Sequence, residues 1–363
     1  MASANQEKAP TLLEAGAMHT LIHDIFRRLE VPAEDCATVA DTLLEASLSG
    51  YDSHGIMRVP MYVDDIRRGT MVPGARLEIV QETPASAHLD AHFGLGPVAA
   101  TGAVHLAGAK AEELGVGSVG VAHASDIGRL GGYLHPLAEA GLIALMVVND
   151  AGGGPCVAPW GSVQPFLSTN PIAAGIPRRG GPPIVIDLST SVVAAGKLKM
   201  LANRGENPPE GWLVDRRGEP TADLSSFFAA PRQSTLLPLG GLVVGHKGFA
   251  LGLLVDILAG ALGGSGCSTG EESDLNRNGL FVLALDAEKF VGRKAFDASV
   301  SQFIDRLKGA EKAPGTDEIL IPGEGAHRER QKRRRDGIPV DAPIRDAIKT
   351  ILADLHLENT YGL

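Results

Sequence analysis

Apolar residues recur at three- and four-residue spacing over residues 12–29 and 33–48, the pattern of two amphipathic helices joined at Val31-Pro32. Gly50 closes the second. A third helix is expected from Asp52 or Ser53, either of which can cap it, with Pro60 near its first turns and its end near Arg68-Gly69. Beyond the turn Val72-Pro73-Gly74 the period changes. Residues 77–80 and 85–89 read as short strands, 98–114 as a helix, and 116–122 and 142–148 as buried strands. Further strands are expected at 172–176, 184–186, 279–285 and 319–321, and further helices at 249–262, 296–307 and 341–357. Residues 203–235 are dense in Pro, Gly and Arg and read as loop. The pattern is α/β, with a helical cap over the first 70 residues.

Composition narrows the class. A chain of 363 residues that is 44% hydrophobic can bury a large core in two or more lobes, and 45 Gly with 23 Pro argue for many tight turns. A net charge of −10 argues against nucleic acid or an anionic membrane as a general partner. Cys36, Cys156 and Cys267 are far apart and form no metal-ligand pair, which fits a reducing cytosol. Residues 1–10 read as a frayed tail without a signal-peptide core, and no apolar run reaches the length of a membrane span. The expectation is a soluble cytoplasmic protein.

The densest chemistry lies in Asp52-Ser53-His54-Gly55-Ile56-Met57-Arg58. On a helix His54 and Arg58, four residues apart, point the same way. An Arg fork grips a carboxylate, and a neighbouring His exchanges a proton with the adjacent carbon's substituent at neutral pH. That pair would suit a 2-hydroxy acid, a 2-keto acid or a cyclic imino acid. A surface His and Arg at a helix start is the plainer explanation of the same spacing.

Other stretches carry weaker signals. Gly94-Leu95-Gly96-Pro97-Val98-Ala99 matches a dinucleotide fingerprint, but Pro97 removes an N–H from the loop and no strand ends in an acid about 20 residues on. A tight strand-to-helix turn accounts for its glycines equally well. The loop from His123 to Tyr133 could place backbone N–H groups and Arg129 near an anion. Thr169 and Asn170 offer hydrogen-bonding groups before Pro171, and Asp187 ends a strand beside Ser189. Lys247 follows His246 at a Gly-flanked helix start and could meet a phosphate or carboxylate. The basic run 328–335 reads as a solvated helix face.

Taken in order, these motifs resemble the malate/L-lactate dehydrogenase family of NAD(P)-dependent oxidoreductases, which is unrelated to the Rossmann-type lactate and malate dehydrogenases. The resemblance runs from about residue 21 to 339. It rests on Asp-Ser-His-Gly-x-x-Arg at 52–58, Ile-Gly-Arg-Leu-Gly-x-Tyr at 127–133, Pro-Trp-Gly at 159–161, Thr-Asn-Pro at 169–171, residues 187–191, Pro-Glu-Gly-Trp at 209–212, Gly-His-Lys-Gly at 245–248 and Pro-Gly-Glu at 322–324. The segment around Gly266-Cys267 looks closest to the hydroxycarboxylate dehydrogenase branch.

The resemblance implies a non-Rossmann, largely antiparallel central sheet that binds NAD or NADP, covered by a helical domain built from both chain ends. The implied layout is an N-terminal helical domain at 1–75, a sheet domain at 76–325 with the loop-rich insertion 203–235, and a C-terminal segment at 326–363. It implies a homodimer with the site near the subunit interface. His54 matches the acid/base and Ser53 its relay partner, Arg58 the carboxylate clamp and Thr169 a substrate contact. Asp126, Ile127, Gly128, Arg129, Leu130, Asp187, Leu188, Ser189, His246, Lys247, Pro322, Gly323 and Glu324 match cofactor-lining segments. The implied activity is hydride transfer between nicotinamide and C2 of a small 2-hydroxy acid. The alternatives are a reductase of cyclic imino acids or an inactive cofactor-binding relative. Two positions depart from the pattern. Asp126 stands where many members have a His proposed as proton acceptor, and a carboxylate is a poor base for an alcohol near pH 7. His123 could substitute; otherwise His54 acts alone. Ser168 replaces a Gly before Thr169.

Overall fold

The computed structural model describes residues 10–363 except Glu272, Asp274 and Asn359; residues 1–9, most of the expected tail, lie outside the described residues. The chain enters as strand β1 (Thr11–Leu13) and continues into α1 (Ala15–Arg28) and α2 (Ala33–Leu48). α1 begins three residues later than its periodicity suggests, because residues 11–13 pair antiparallel with 338–340. Leu13 is buried while Leu12 is exposed, which is strand alternation. Two 3-10 turns, Asp52–His54 and Ile56–Arg58, then lead into α3 (Val59–Arg68), which ends on left-handed Gly69.

The sheet region follows as β2 (Glu78–Glu82), β3 (Ser86–Asp90), α4 (Gly96–Leu114), β4 (Val116–Ala124), α5 (Leu130–Ala140), β5 (Leu142–Asp150), β6 (Ile172–Ile176), β7 (Ile184–Leu188) and α6 (Ala195–Arg204). Residues 203–235 are not simply loop: β8 (Leu213–Asp215), β9 (Pro220–Thr221) and β10 (Ser234–Leu236) form a small sheet beside a helical turn, Leu224–Phe228. Strands of two or three residues are too short to show a period. α7 (Gly241–Val255) opens earlier than expected, so the Gly-His-Lys-Gly stretch lies inside it, just past a kink at Val244 (φ −133°, ψ 24°). It widens into π-type turns over Asp256–Leu262. β11 (Asn278–Asp286), α8 (Arg293–Lys308), α9 (Glu324–Asp336), β12 (Ile338–Val340) and α10 (Ala342–Asp354) complete the chain. Residues 319–321 form no strand; they lead into the turn that opens α9.

Among the described residues, seven strands make a mixed sheet in the order β2-β3-β4-β11-β5-β6-β7. Only β3 and β4 pair in parallel, joined by the α4 crossover; the other pairings are antiparallel. Central β11 shows how sequence sets the layers. Leu280, Val282 and Ala284 face the core shared with α4 and α5, while Phe281 faces Val255 and Ala259 on the other side. A separate core gathers Met18, Ile22, Leu43 and Tyr62 with Ile338, Ile348 and Ile351, so both chain ends share one apolar interior. The glycine at 96 is required by packing: a Cβ there would collide with the Asp126 carbonyl.

One feature departs from expectation. The 22-residue helix Gly241–Leu262 is long and apolar enough to cross a membrane by length and composition. It packs on the sheet through Val255 and Ala259 but leaves Leu242, Val243, Leu254, Ile257 and Leu262 exposed, Val243 at 84%.

Candidate active site

The segment 52–58 does not form the expected continuous helix. It breaks at Gly55 (φ −99°, ψ −135°) into two 3-10 turns. Ser47 at the end of α2 sets the break: its Oγ accepts the Ile56 N–H at 3.0 Å, and a Cβ at residue 55 would collide with that oxygen. Arg333 on α9 clamps the turn from behind, donating to Asp52 and, at 2.6 Å, to the Ser47 carbonyl. Arg330 likewise reaches Glu45 at 2.6 Å. These two arginines of the basic run are therefore internal ties rather than part of a solvated face.

His54 and Arg58 still face one cleft of about 280 Å³. The His54 Nδ1 lies 2.9 Å from Ser53 Oγ, and Nε2 has no partner among the described residues. Burial, reinforced by the Arg58 charge, lowers the His54 pKa to about 4, against a smaller opposing pull from Asp126. Arg58 makes one long ion pair, Nη1 to Asp126 Oδ2 at 3.4 Å, and a contact to Met61 Sδ at 3.5 Å. Its Nε is buried without a partner. A guanidinium has five N–H donors in a fork, so this one is poised for an oxyanion.

Asp126 is held as a counter-ion. Tyr62, fully buried on α3, donates to its Oδ1 at 2.8 Å. Burial and the Asp126 charge push the Tyr62 pKa well up, so its hydroxyl remains a donor. Ile127, Gly128, Leu130 and Thr169 line the same cleft. The Thr169 hydroxyl makes no hydrogen bond among the described residues, whereas its carbonyl accepts from Thr190 N at 3.0 Å. His123 does not line the cleft; it pairs with Asp90 at 3.0 Å.

The remaining predicted residues lie outside the cleft. Ser53 sits behind His54 against Gly196. Arg129 is buried and turned from the cleft, paired with Glu45 at 2.6 Å and Asp187 at 3.4 Å and stacked over Tyr51 at 4.1 Å. Its expected anion is supplied by the protein. Asp187 also accepts the Gly131 N–H at 2.8 Å, tying β7 to the first turn of α5. Leu188 is exposed, and Ser189 Oγ donates to the Ser191 carbonyl at 3.1 Å. His246 meets the Trp160 ring edge-on at 5.8 Å, and Lys247 is exposed on the next position. The Pro322 carbonyl accepts from Val185 N at 3.1 Å, and Gly323 takes φ +99°. Glu324 pairs with Arg178 and Lys308, each at 2.8 Å; these contacts overcome burial and hold its pKa at about 2.

The cleft also contains groups that sequence reasoning passed over: Asn149, Asp150, Cys156, Arg232, Asn276 and Asn278. Asp150 accepts backbone N–H bonds from Gly152 and Gly153 at 3.1 and 2.7 Å, and burial raises its pKa. Its place at the end of a buried strand before a Gly-rich loop was the available signal. Burial pushes the Cys156 thiol up to about 12, which leaves it inert near neutrality. Arg232, in the segment read as loop, carried no local signal.

Known proteins share this architecture. The structure of malate dehydrogenase from Pyrococcus horikoshii OT3 superposes with a TM-score of 0.86 at 32% identity, covering 97% of both chains. Δ1-Piperideine-2-carboxylate reductase from Pseudomonas syringae pvar. tomato gives 0.80 at 30% identity, covering 94% of this chain and 99% of that one. A malate dehydrogenase from Pyrococcus abyssi is 37% identical over 333 residues, 90% of each chain. The family model described as malate/L-lactate dehydrogenase matches residues 13–349, and the chain belongs to that family.

Proposed function

We propose that the chain is a nicotinamide-dependent dehydrogenase that interconverts a small 2-hydroxy acid and the matching 2-keto acid. The observation that carries this is the shared cleft: an acid–base imidazole and an underused guanidinium face the same small volume. The cleft fits a nicotinamide. It presents the Thr169 hydroxyl and the Asn276 and Asn278 side chains as hydrogen-bonding groups, and open backbone at Gly128 and Gly154. When bound, the cofactor supplies or accepts a hydride at C2 of the acid.

The protein's share of the chemistry follows from its charges. Arg58 holds the substrate carboxylate in a bidentate grip and so fixes C2 relative to His54. With Nδ1–H donating to Ser53 Oγ, the Nε2 lone pair faces the cleft and takes the hydroxyl proton in the oxidation direction. The depressed pKa keeps His54 in that basic form at neutral pH. In the reduction direction the bound carboxylate cancels the Arg58 charge, which raises the His54 pKa and equips it to donate. Asp126, already paired with Arg58 and Tyr62, is a positioning group rather than the base.

Three further points belong to this reading. Arg129, Arg178 and Arg204, three of the cationic side chains that could hold a 2′-phosphate, are paired with carboxylates: Glu45, Glu324 and Asp341. This supports NAD over NADP. The exposed apolar face of α7 supports a homodimer through that helix. A second chemical reading, reduction of a cyclic imino acid, draws on the Asp126 carboxylate, which could face a protonated C=N group. The test is absorbance of the reduced nicotinamide, with each cofactor offered pyruvate, oxaloacetate, an aromatic 2-keto acid and piperideine-2-carboxylate. Oxidation of NADH by a 2-keto acid is expected. Oxidation by the cyclic imine alone would move the chain to the second reading.

A further inference from the structure

Helices α2, α4 and α5 meet around a groove of about 230 Å³ that shares no lining residue with the cleft. The two border one segment: Ile127, Gly128 and Leu130 line the cleft, Gly132 and Tyr133 the groove. An apolar cavity of about 150 Å³ already takes up a ring the size of benzene, so this volume is ample for a small molecule. Its walls are Val104 on α4 with Tyr133, Pro136 and Leu137 on α5, and all but the proline are buried. α7 lies on the other side of the sheet, since β11 turns Leu280 toward α4 and α5 but Phe281 toward Val255. A dimer through α7 therefore leaves the groove open.

The rim is acidic. The ionisable groups on the lining are Asp41, Glu45 and His105, with no Lys or Arg among them. Asp41 is 75% exposed and touches only His19, at 3.2 Å, among the described residues. Glu45, tied to Arg129 and Arg330 at 2.6 Å, still exposes a quarter of its side chain. Glycine at 132 lets it come this close, because a Cβ there would stand 2.6 Å from Glu45 Oε2. Pro136 adds a backbone acceptor. It sits inside α5 and has no N–H, so the Gly132 carbonyl lacks its α-helical donor. Apolar walls with acceptors at the rim match a ligand with an apolar body and charged N–H donors. We propose that the groove is a second ligand site, for a small primary amine with an apolar or aromatic body, and that its occupation is felt in the cleft. The route is short: Tyr133 donates to the Ile127 carbonyl at 2.6 Å, and Glu45 anchors Arg129. The binding stands apart from the dehydrogenase reading above; the coupling rests on it.

The test is calorimetric titration of the full chain with 2-phenylethylamine, and with 2-phenylethanol as its neutral match. The wild type should bind the amine saturably and the alcohol about tenfold more weakly or less. Thr101→Trp, which fills the groove from α4, should abolish binding. Asp41→Asn should weaken it by up to about five-fold. Pro136→Ala returns a donor to the Gly132 carbonyl, so it should raise Tm and weaken the amine about tenfold. These last two variants decide the matter if Thr101→Trp does not fold. No saturable binding of the amine, equal binding of the alcohol, or full affinity in Asp41→Asn and Pro136→Ala would each overturn the site. For the coupling, saturating 2-phenylethylamine should shift KM for the hydroxy acid about five-fold or more. Binding with no such shift overturns the coupling and leaves the site. A chain that binds the amine but turns over no hydroxy acid removes the dehydrogenase reading and the coupling with it, and leaves the site standing.

Discussion

Arg58 Nη1 stands 3.4 Å from Asp126 Oδ2, while Tyr62 holds the other carboxylate oxygen at 2.8 Å. The guanidinium proposed to receive the substrate is thus shared with an anion of the protein. The distance is long for an Arg–carboxylate bond, so the pair pre-orients Arg58 without saturating it. In Asp126→Asn the competing charge is gone. A pair of this length is worth about 0.2–1 kcal/mol, so KM for a 2-keto acid should fall by up to about five-fold. A KM that instead rises steeply would make Asp126 a substrate contact, as the imino-acid reading requires.

The pH profile follows from His54. Its pKa near 4 leaves the free enzyme with a neutral imidazole across the neutral range. The kcat/KM for hydroxy-acid oxidation should stay flat on the acid side down to about pH 5, while that for reduction should climb about tenfold per unit of falling pH. An acid limb near 6.5 in oxidation would show an unperturbed His. The same shift bears on stability. An unfolded His titrates near 6.5, so between about 6.5 and 4 the unfolded chain binds a proton that the folded chain refuses. This group's contribution is therefore at its full value above about 6.5 and declines as pH falls toward 4.

The apolar face of α7 makes a separate prediction. Val243 is 84% exposed beside Leu242, on the same helix as the exposed Leu254. Val243→Asp places a charge in the proposed dimer contact, and sedimentation should then find a monomer where the wild type sediments as a dimer. A wild-type monomer would remove this part of the account.

Local pattern exposed much of this architecture, and its failures share a cause. The alternation in β11 shows in the run of Leu280, Val282 and Ala284 against Phe281, because a strand's two faces are written two residues apart. The pairing of residues 11–13 with 338–340 is invisible locally, since its partner lies at the other end of the chain. Arg330 and Arg333 read as solvated for the same reason: Glu45 and Asp52, which bind them, are remote in sequence. His54 and Arg58 were identified by their chemistry, but the geometry differs. Helical spacing was the expectation, and Ser47 packed under Gly55 is what turns both into one cleft. Arg129 carried the right charge and found its carboxylates within the fold.

The most direct test of the central claim is steady-state reduction of a 2-keto acid by the wild type and Arg58→Met. Losing a bidentate, charge-assisted grip of about 1.5–3 kcal/mol should raise KM for the acid about 10- to 150-fold. The KM for the nicotinamide should hold, and kcat should fall because the carboxylate no longer orients C2 against His54. Unchanged KM and kcat would mean that the cleft at His54 and Arg58 is not where the acid binds, and the account would fail at its centre.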